Sequence, residues 1–196
     1  MKKIAFLTVI VVMIATLAGC KKGNVTIKTS EIEANTMLIK SDGAVQVATV
    51  EEFTESYYNL EELKAFIHEH LTTFNDEVGN EAAVVLDSLD KKNGNVIMVL
   101  EYANMDYYAK FNEVEASFAS SITSKDIESF PSTLVNAKES GSINKSELAS
   151  LTDAKAVVLN EEYRLIVSDD ILYYSNGTII DGNEIQTTED TTVVIY

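Results

Sequence analysis

Few residues of this chain are suited to covalent catalysis. The one cysteine, Cys20, stands in the stretch "TLAGCKKGN", and the two histidines are His68 and His70. Two residues apart on a helix, these imidazoles would point about 200° from each other, so they cannot face one substrate or one metal ion. The chain has no Gly-x-Ser-x-Gly elbow and no glycine-rich phosphate loop. The sequence therefore predicts no catalytic residue and no cofactor.

The N-terminus has the three parts of an export signal. A positively charged start precedes a mostly apolar run over residues 4–15, and "LAGC" follows after one residue. This ending resembles the lipobox of bacterial lipoproteins, in which the cysteine sulfur receives a diacylglycerol and the chain is cut directly before it. The resemblance implies that residues 1–19 are removed and that acylated Cys20 anchors the protein to the cell membrane, facing outside the cytoplasm. The alternative is an uncleaved membrane helix, although this apolar segment falls short of the roughly 20 residues that a bilayer requires.

The remaining chain is strongly acidic. Removing residues 1–19 takes away two lysines and no acids, which leaves 13 Lys and Arg against 31 Asp and Glu, a formal charge of −18. Proteins that bind nucleic acids need Lys and Arg to displace counterions, so we expect no nucleic-acid partner. Acylation of Cys20 leaves no thiol for a disulfide, and a packed core must provide the stability. We expect residues 20–25 to form a short tether and residues 26–196 a single domain.

Metal binding is weakly indicated. "HEH" lacks the His-Glu-x-x-His spacing that sets two imidazoles on one face of a helix, which disfavours zinc. "DKKNGN", residues 90–95, has lysines where a calcium loop needs ligands, and it predicts a hairpin turn instead. A weak calcium site remains an alternative if the C-terminal loops converge. Its ligands would be Asp169, Asp170, Asn176, Asp181, Asn183 and Glu184.

Paired carboxylates could also catalyse glycoside hydrolysis. With 31 acidic residues in the chain, some pair lies at a usable separation in any fold, so the presence of a pair is not informative. Sugar clefts usually include tryptophan, and this chain has none. A carboxylate-dependent hydrolase of the cell envelope is the alternative function.

Hydrophobic periodicity predicts an α+β domain made of antiparallel β-hairpins, one long amphipathic helix and a β-rich C-terminal part. The hairpins are expected over residues 36–53 and 83–103, with turns at Gly43 and at Asn93-Gly94. Shorter elements are weaker in the pattern. They comprise a helix over 104–112, a strand over 114–122, a helical turn over 123–130, a helix over 144–151, and several short strands from residue 155 onward.

The long helix is expected to begin after an Asn59 cap and to end at Gly79. An apolar stripe along it should face the sheet. The stripe comprises Leu63, Phe66, Ile67, His70, Leu71, Phe74 and Val78. We expect His70 to be a hydrogen-bonded core histidine and His68 to be exposed.

Two segments of the chain, "EEFTESYYNLEELKAFIHEHLTTFN" and "LEYANMDYYAKFN", resemble stretches in uncharacterised lipoproteins of Gram-positive anaerobic bacteria. The resemblance covers about half of the chain after the signal segment. It implies the envelope of a cell with a single membrane, and it implies no particular activity.

Three Tyr-Tyr pairs are the sequence's candidate for a binding surface. Adjacent residues point in different directions, so each pair could bury one ring and expose the other to a protein or glycan. The six residues are Tyr57, Tyr58, Tyr107, Tyr108, Tyr173 and Tyr174. The alternative is that all six are ordinary half-buried residues.

Together these features predict a membrane-anchored extracytoplasmic lipoprotein that acts as a non-catalytic binding module. Its expected partners are the membrane, through the lipid, and an envelope protein or glycan.

Overall fold

A computed structural model describes residues 26–196 and shows a mixed α and β fold. This part of the chain contains two β-sheets and four α-helices. The predictions for Cys20, for the signal segment and for the tether lie outside the described residues. None of the helices within residues 26–196 is long and apolar enough to cross a bilayer.

The described elements are thirteen strands, four α-helices and one short 3-10 helix before β1, Thr29–Glu31. The strands are β1 (Thr36–Ile39), β2 (Val45–Glu52), β3 (Val84–Lys92), β4 (Asn95–Tyr102), β5 (Ala116–Ala119), β6 (Thr133–Asn136), β7 (Ser142–Asn144), β8 (Ala156–Leu159), β9 (Arg164–Ile166), β10 (Tyr173–Tyr174), β11 (Gly177–Asp181), β12 (Glu184–Thr187) and β13 (Thr192–Ile195). The helices are α1 (Leu60–Val78), α2 (Met105–Asn112), α3 (Ser124–Ser129) and α4 (Lys145–Leu148).

The first sheet has seven strands in the order β11-β12-β9-β1-β2-β4-β3. Both predicted hairpins are confirmed, since β1 pairs antiparallel with β2 and β3 with β4. Their turns use the left-handed conformation, with φ of 88° at Gly43, 54° at Asn93 and 84° at Gly94. One pairing departs from the antiparallel prediction, because β1 lies parallel to the distant β9. No local turn signal specifies which strand covers the second edge of β1.

The second sheet has six strands in the order β5-β8-β13-β10-β6-β7. Its central strand, β13, is buried along its whole length. A strand buried on both faces reads as a continuous apolar run without alternation, as "TVVI" does. Strands β6 and β7, of four and three residues, were not predicted.

Three clusters of buried residues hold these layers together. The central core joins one face of the first sheet to α1, to α2 and to the second sheet, for example through Met37 and Val194. A second cluster, which includes Val193, packs the other face of the second sheet against α3 and α4. A third covers the outer face of the first sheet with Ile27 and Ile32, from the segment before β1. Adjacent residues of β13 therefore serve different cores.

Helix α1 has the predicted ends. The Asn59 side chain accepts hydrogen bonds from the backbone N–H groups of Glu61 and Glu62, and Gly79 closes the helix with φ of 68°. Asn75 is buried near the C-terminal end. Its amide donates to the carbonyl of Val84 at 2.9 Å and accepts from the Val84 N–H at 3.0 Å. This amide fixes α1 to the start of β3.

The predicted apolar stripe of α1 is only partly buried. Ile67 and Leu71 lie in the central core, but Phe66 is 56% exposed and His70 is also exposed. The prediction that His70 is a core histidine is therefore wrong. The stripe spans about 140° of the helix surface, which is wider than the face that α1 turns toward the sheets.

Candidate functional site

An open groove lies between the exposed side of α1 and the last turn of α2. We call it the α1–α2 groove. It has a volume of about 410 Å³ and is lined by Glu69, His70, Thr73, Phe74, Glu77 and Phe111. The five residues from α1 fall within about 140° of one side of the helix, since successive residues are about 100° apart. A capped, regular helix therefore presents them together, and α2 adds the sixth.

Aromatic rings form the floor of the groove. The rings of Phe74 and Phe111 meet edge to face, with centroids 5.1 Å apart, and Tyr107 lies 6.4 Å from Phe74. Such contacts hold rings in a defined orientation. The imidazole of His70 lies against the ring of Phe66, with centroids 4.2 Å apart, which extends the aromatic surface toward the start of α1.

Negative charge surrounds this floor. Glu69 and Glu77 are both exposed, and α1 carries five acidic residues against one lysine. The ammonium of Lys110 lies 6.0 Å from the centroid of the Phe74 ring, the arrangement of a cation–π contact. Aromatic faces bordered by carboxylates attract cationic groups. The groove is therefore suited to bind positively charged side chains.

The spacing of these two carboxylates does not favour hydrolysis. Glu69 and Glu77 are eight residues apart on one helix, which separates their Cα atoms by about 12 Å along the axis. Glycosidases hold their two carboxyl groups about 5 to 9.5 Å apart across one bond, and a Cα spacing of about 12 Å meets this only where the two side chains lean toward each other. The pair instead marks the two ends of an elongated surface.

The structure separates the six predicted tyrosines. Tyr57 is 74% exposed and Tyr58 43% exposed, whereas Tyr108 is buried. Tyr173 and Tyr174 are both half-buried, the first beside the cluster under α3 and α4 and the second beside the central core. The expectation that each pair exposes one ring and buries the other is therefore wrong, because both rings of the first pair are exposed and neither ring of the other two pairs is.

Only part of the predicted surface lies near the groove. Tyr107 is half-buried and packs against Phe74, so it supports the floor. Tyr58 stacks on Phe53, and Tyr57 meets Tyr58 edge to face, with both centroid distances at 4.9 Å. Tyr57 and Tyr58 lie in the loop before α1. They form a separate exposed aromatic patch.

Tyr108 belongs to a buried polar network. Its hydroxyl donates to Glu161 Oε2 at 2.5 Å and lies 3.3 Å from the hydroxyl of Tyr163. Its ring meets that of Tyr102 edge to face at 5.2 Å, and the Tyr102 hydroxyl accepts from Asn112 Nδ2 at 3.2 Å. The network ties α2 to the segment before β9 and thereby fixes one wall of the groove.

We expect the protein to lose stability as the pH rises above about 10, the usual tyrosine range. Burial raises the pKa of the Tyr102, Tyr108 and Tyr163 phenols. The folded state then keeps protons that the unfolded state releases. The free energy of unfolding should fall by up to about 1.4 kcal/mol per pH unit for each such tyrosine, and this loss should be absent below that range.

Urea unfolding between about pH 8 and about pH 11 measures this slope. Tyr108→Phe should have a shallower slope than the wild type. Phe66→Ala, at an exposed position that carries no phenol, should keep the wild-type slope. Identical slopes in all three proteins would contradict the assignment.

The proposed calcium ligands are engaged by other groups. Lys138 Nζ pairs with Asp170 at 2.7 Å, and Arg164 pairs with Glu184. Asn183 donates its amide to the carbonyl of Val167. Among residues 26–196, no three His, Cys, Asp or Glu side chains are grouped so that they could hold a metal ion. The loops therefore do not assemble the calcium site.

A lysine, a serine and an aspartate meet near the C-terminus, which the sequence did not reveal. Lys155 Nζ donates to Ser168 Oγ at 3.1 Å and to Asp169 Oδ2 at 3.5 Å, and it lies 5.6 Å from the centroid of the Tyr196 ring. Ser168 Oγ in turn donates to Asp169 Oδ2 at 2.9 Å. A lysine that activates a serine must be a neutral base, whereas this ammonium is in an ion pair. We interpret the cluster as a link between the loop after β9 and the C-terminal strand.

Comparison of the chain with protein-family models, with curated proteins and with solved structures finds no match.

Proposed function

We propose that this protein is a membrane-anchored extracytoplasmic lipoprotein that binds another protein through the α1–α2 groove, without covalent chemistry. The observation that carries the proposal is the groove itself, an open surface with an aromatic floor and two exposed carboxylates. The rings of Phe74 and Phe111 are half-buried and Phe66 beside them is exposed, and apolar surface grouped in this way is characteristic of interaction sites.

Support for the anchor comes from the sequence before the described residues. The ending "LAGC" supplies a cysteine that can be acylated, and two acyl chains bind a membrane far more firmly than one. A tether of residues 20–25 spans at most about 20 Å when fully extended. In this proposal the groove works close to the membrane surface.

In this proposal, one face of helix α1 packs on the core and another face contacts the partner. Ile67 and Leu71 face the central core, and Phe66 and His70 face outward beside the groove. An exposed phenylalanine contributes nothing to the core of the isolated protein. Contact with a partner would give this ring an apolar environment.

A photocrosslinking amino acid placed at Thr73 tests the proposal in cells that produce the full-length protein. Thr73 lines the groove and is exposed. We expect one defined adduct, whose partner peptide is identified by mass spectrometry. The same crosslinker at Lys125, on α3 beyond the second sheet, should not produce it.

Two matched variants make the result specific. Phe66→Ala should reduce the Thr73 adduct, because it removes an exposed ring at the end of the groove. Tyr57→Ala removes a ring of the separate exposed patch and should leave the adduct unchanged. No adduct at Thr73, an adduct between two copies of this chain, or equal effects of both variants would contradict the proposal.

A further inference from the structure

We propose that the groove receives an extended, basic segment of the partner. Two Lys or Arg side chains, four residues apart, pair with Glu69 and Glu77, and the apolar side chain midway between them packs on Phe74 and Phe111. This inference rests on the proposed function and deepens it by naming the chemistry of the partner.

The spacing of the two glutamates along the groove is similar to the spacing of alternate side chains on an extended peptide. Glu69 and Glu77 lie about 12 Å apart along the α1 axis. In an extended chain, residues i and i+4 are about 13 Å apart, and residues i, i+2 and i+4 point to the same side. Phe74 lies between the two glutamates along the helix and lines the groove with them. Along the axis, the order basic-x-apolar-x-basic therefore matches the order carboxylate, ring, carboxylate, with the ring about 60° around the helix from Glu77 and about 140° from Glu69.

The negative charge of the protein is complementary to a basic partner segment. The chain has a formal net charge of −16 at pH 7, and five of the six charged Asp, Glu and Lys side chains of α1 are acidic. A surface of this sign repels acidic segments and accelerates the approach of basic ones.

Lys110 is a positive charge of the protein itself that lies at the groove. Its ammonium already lies over the ring of Phe74, at 6.0 Å from the centroid. The protein thus places one of its own cations beside the ring on which the partner's apolar side chain would pack, in the same negative field that attracts the partner's two cations. Because like charges repel, Lys110 should weaken the binding of a basic segment.

Fluorescence anisotropy of labelled peptides, with the full-length protein in a non-ionic detergent, tests the inference. The probe is the capped peptide Gly-Ser-Lys-Ser-Leu-Ser-Lys-Ser-Gly. The control peptide Gly-Ser-Leu-Ser-Lys-Lys-Ser-Ser-Gly has the same composition, but its lysines point to opposite sides. We expect the probe to bind about tenfold more tightly than the control, with an affinity that falls as salt is added.

Removing negative charge from the groove and removing positive charge from it should change the affinity for the probe in opposite directions. The double variant Glu69→Gln with Glu77→Gln should weaken probe binding about tenfold, whereas Lys110→Gln should strengthen it about threefold. Glu128→Gln and Lys125→Gln, both on α3, make single charge changes of the same signs away from the groove and should have little effect.

Equal binding of the two peptides, or equal effects of the groove and α3 variants, would overturn the inference. In that case a Thr73 adduct that is sensitive to Phe66→Ala would still support the proposed function, with a partner of different chemistry. If no Thr73 adduct formed in cells but the probe still bound more tightly than the control peptide, the proposed function would be contradicted, and the groove would remain a peptide-binding site.

Discussion

Replacing Cys20 with alanine should abolish acylation of the protein and leave its N-terminal segment uncleaved. The sulfur of Cys20 is the atom that would carry the lipid, and no other cysteine in the chain can replace it. Two buried acyl chains, each contributing about 0.8 kcal/mol per methylene group, would be lost together. Metabolic labelling with a fatty acid and the mobility of the protein on a denaturing gel measure both effects.

The variant Lys22→Ala is the control for this experiment. It changes a residue just after the predicted cleavage site and leaves the thiol in place, so labelling and cleavage should continue. Incorporation of labelled fatty acid into Cys20→Ala would show that the anchor has been assigned incorrectly.

Leu71→Ala should lower the free energy of unfolding by about 2 to 5 kcal/mol, the usual cost of removing most of a buried leucine side chain. Leu71 is 5% exposed and lies in the central core. The same substitution at Phe66, on the same helix, should change stability by no more than about 0.5 kcal/mol, because that ring is 56% exposed.

Urea unfolding of the two variants beside the wild type measures this difference. Both substitutions put alanine, a strong helix former, into α1, so helix propensity does not account for the contrast. A larger loss at Phe66 than at Leu71 would show that α1 turns the other face toward the sheets.

Local signals were enough to place the long helix and both hairpins. Asn59 and Gly79 mark the ends of α1 because a side-chain cap and a left-handed residue satisfy backbone groups within a few positions. Asn93-Gly94 specifies its turn in the same way, since both residues adopt positive φ. These interactions join residues close in sequence, so neighbouring residue types suffice to predict them.

The binding surface was harder to locate. The Tyr-Tyr pairs were prominent in the sequence, yet Tyr108 is buried in a hydrogen-bonded network with Glu161. The available signal was the width of the apolar stripe on α1, which also includes Phe66, His70 and Phe74 at intervals of four residues. A stripe of this width can extend past the face that packs on the core, which leaves its edge exposed. No sequence pattern indicated that Phe111 belongs to this surface, because its position beside Phe74 depends on how α2 packs.

The sequence by itself determined the acidic surface, the ends of α1 and the turns of the hairpins, because these depend on composition or on contacts within a few residues. The tertiary structure decided that β1 pairs with β9, which side of α1 faces outward, and that Glu69, Phe74 and Glu77 meet Phe111 in one groove. Such arrangements join residues far apart in the chain. They are selected by the total apolar area that the whole fold buries, which no single segment specifies.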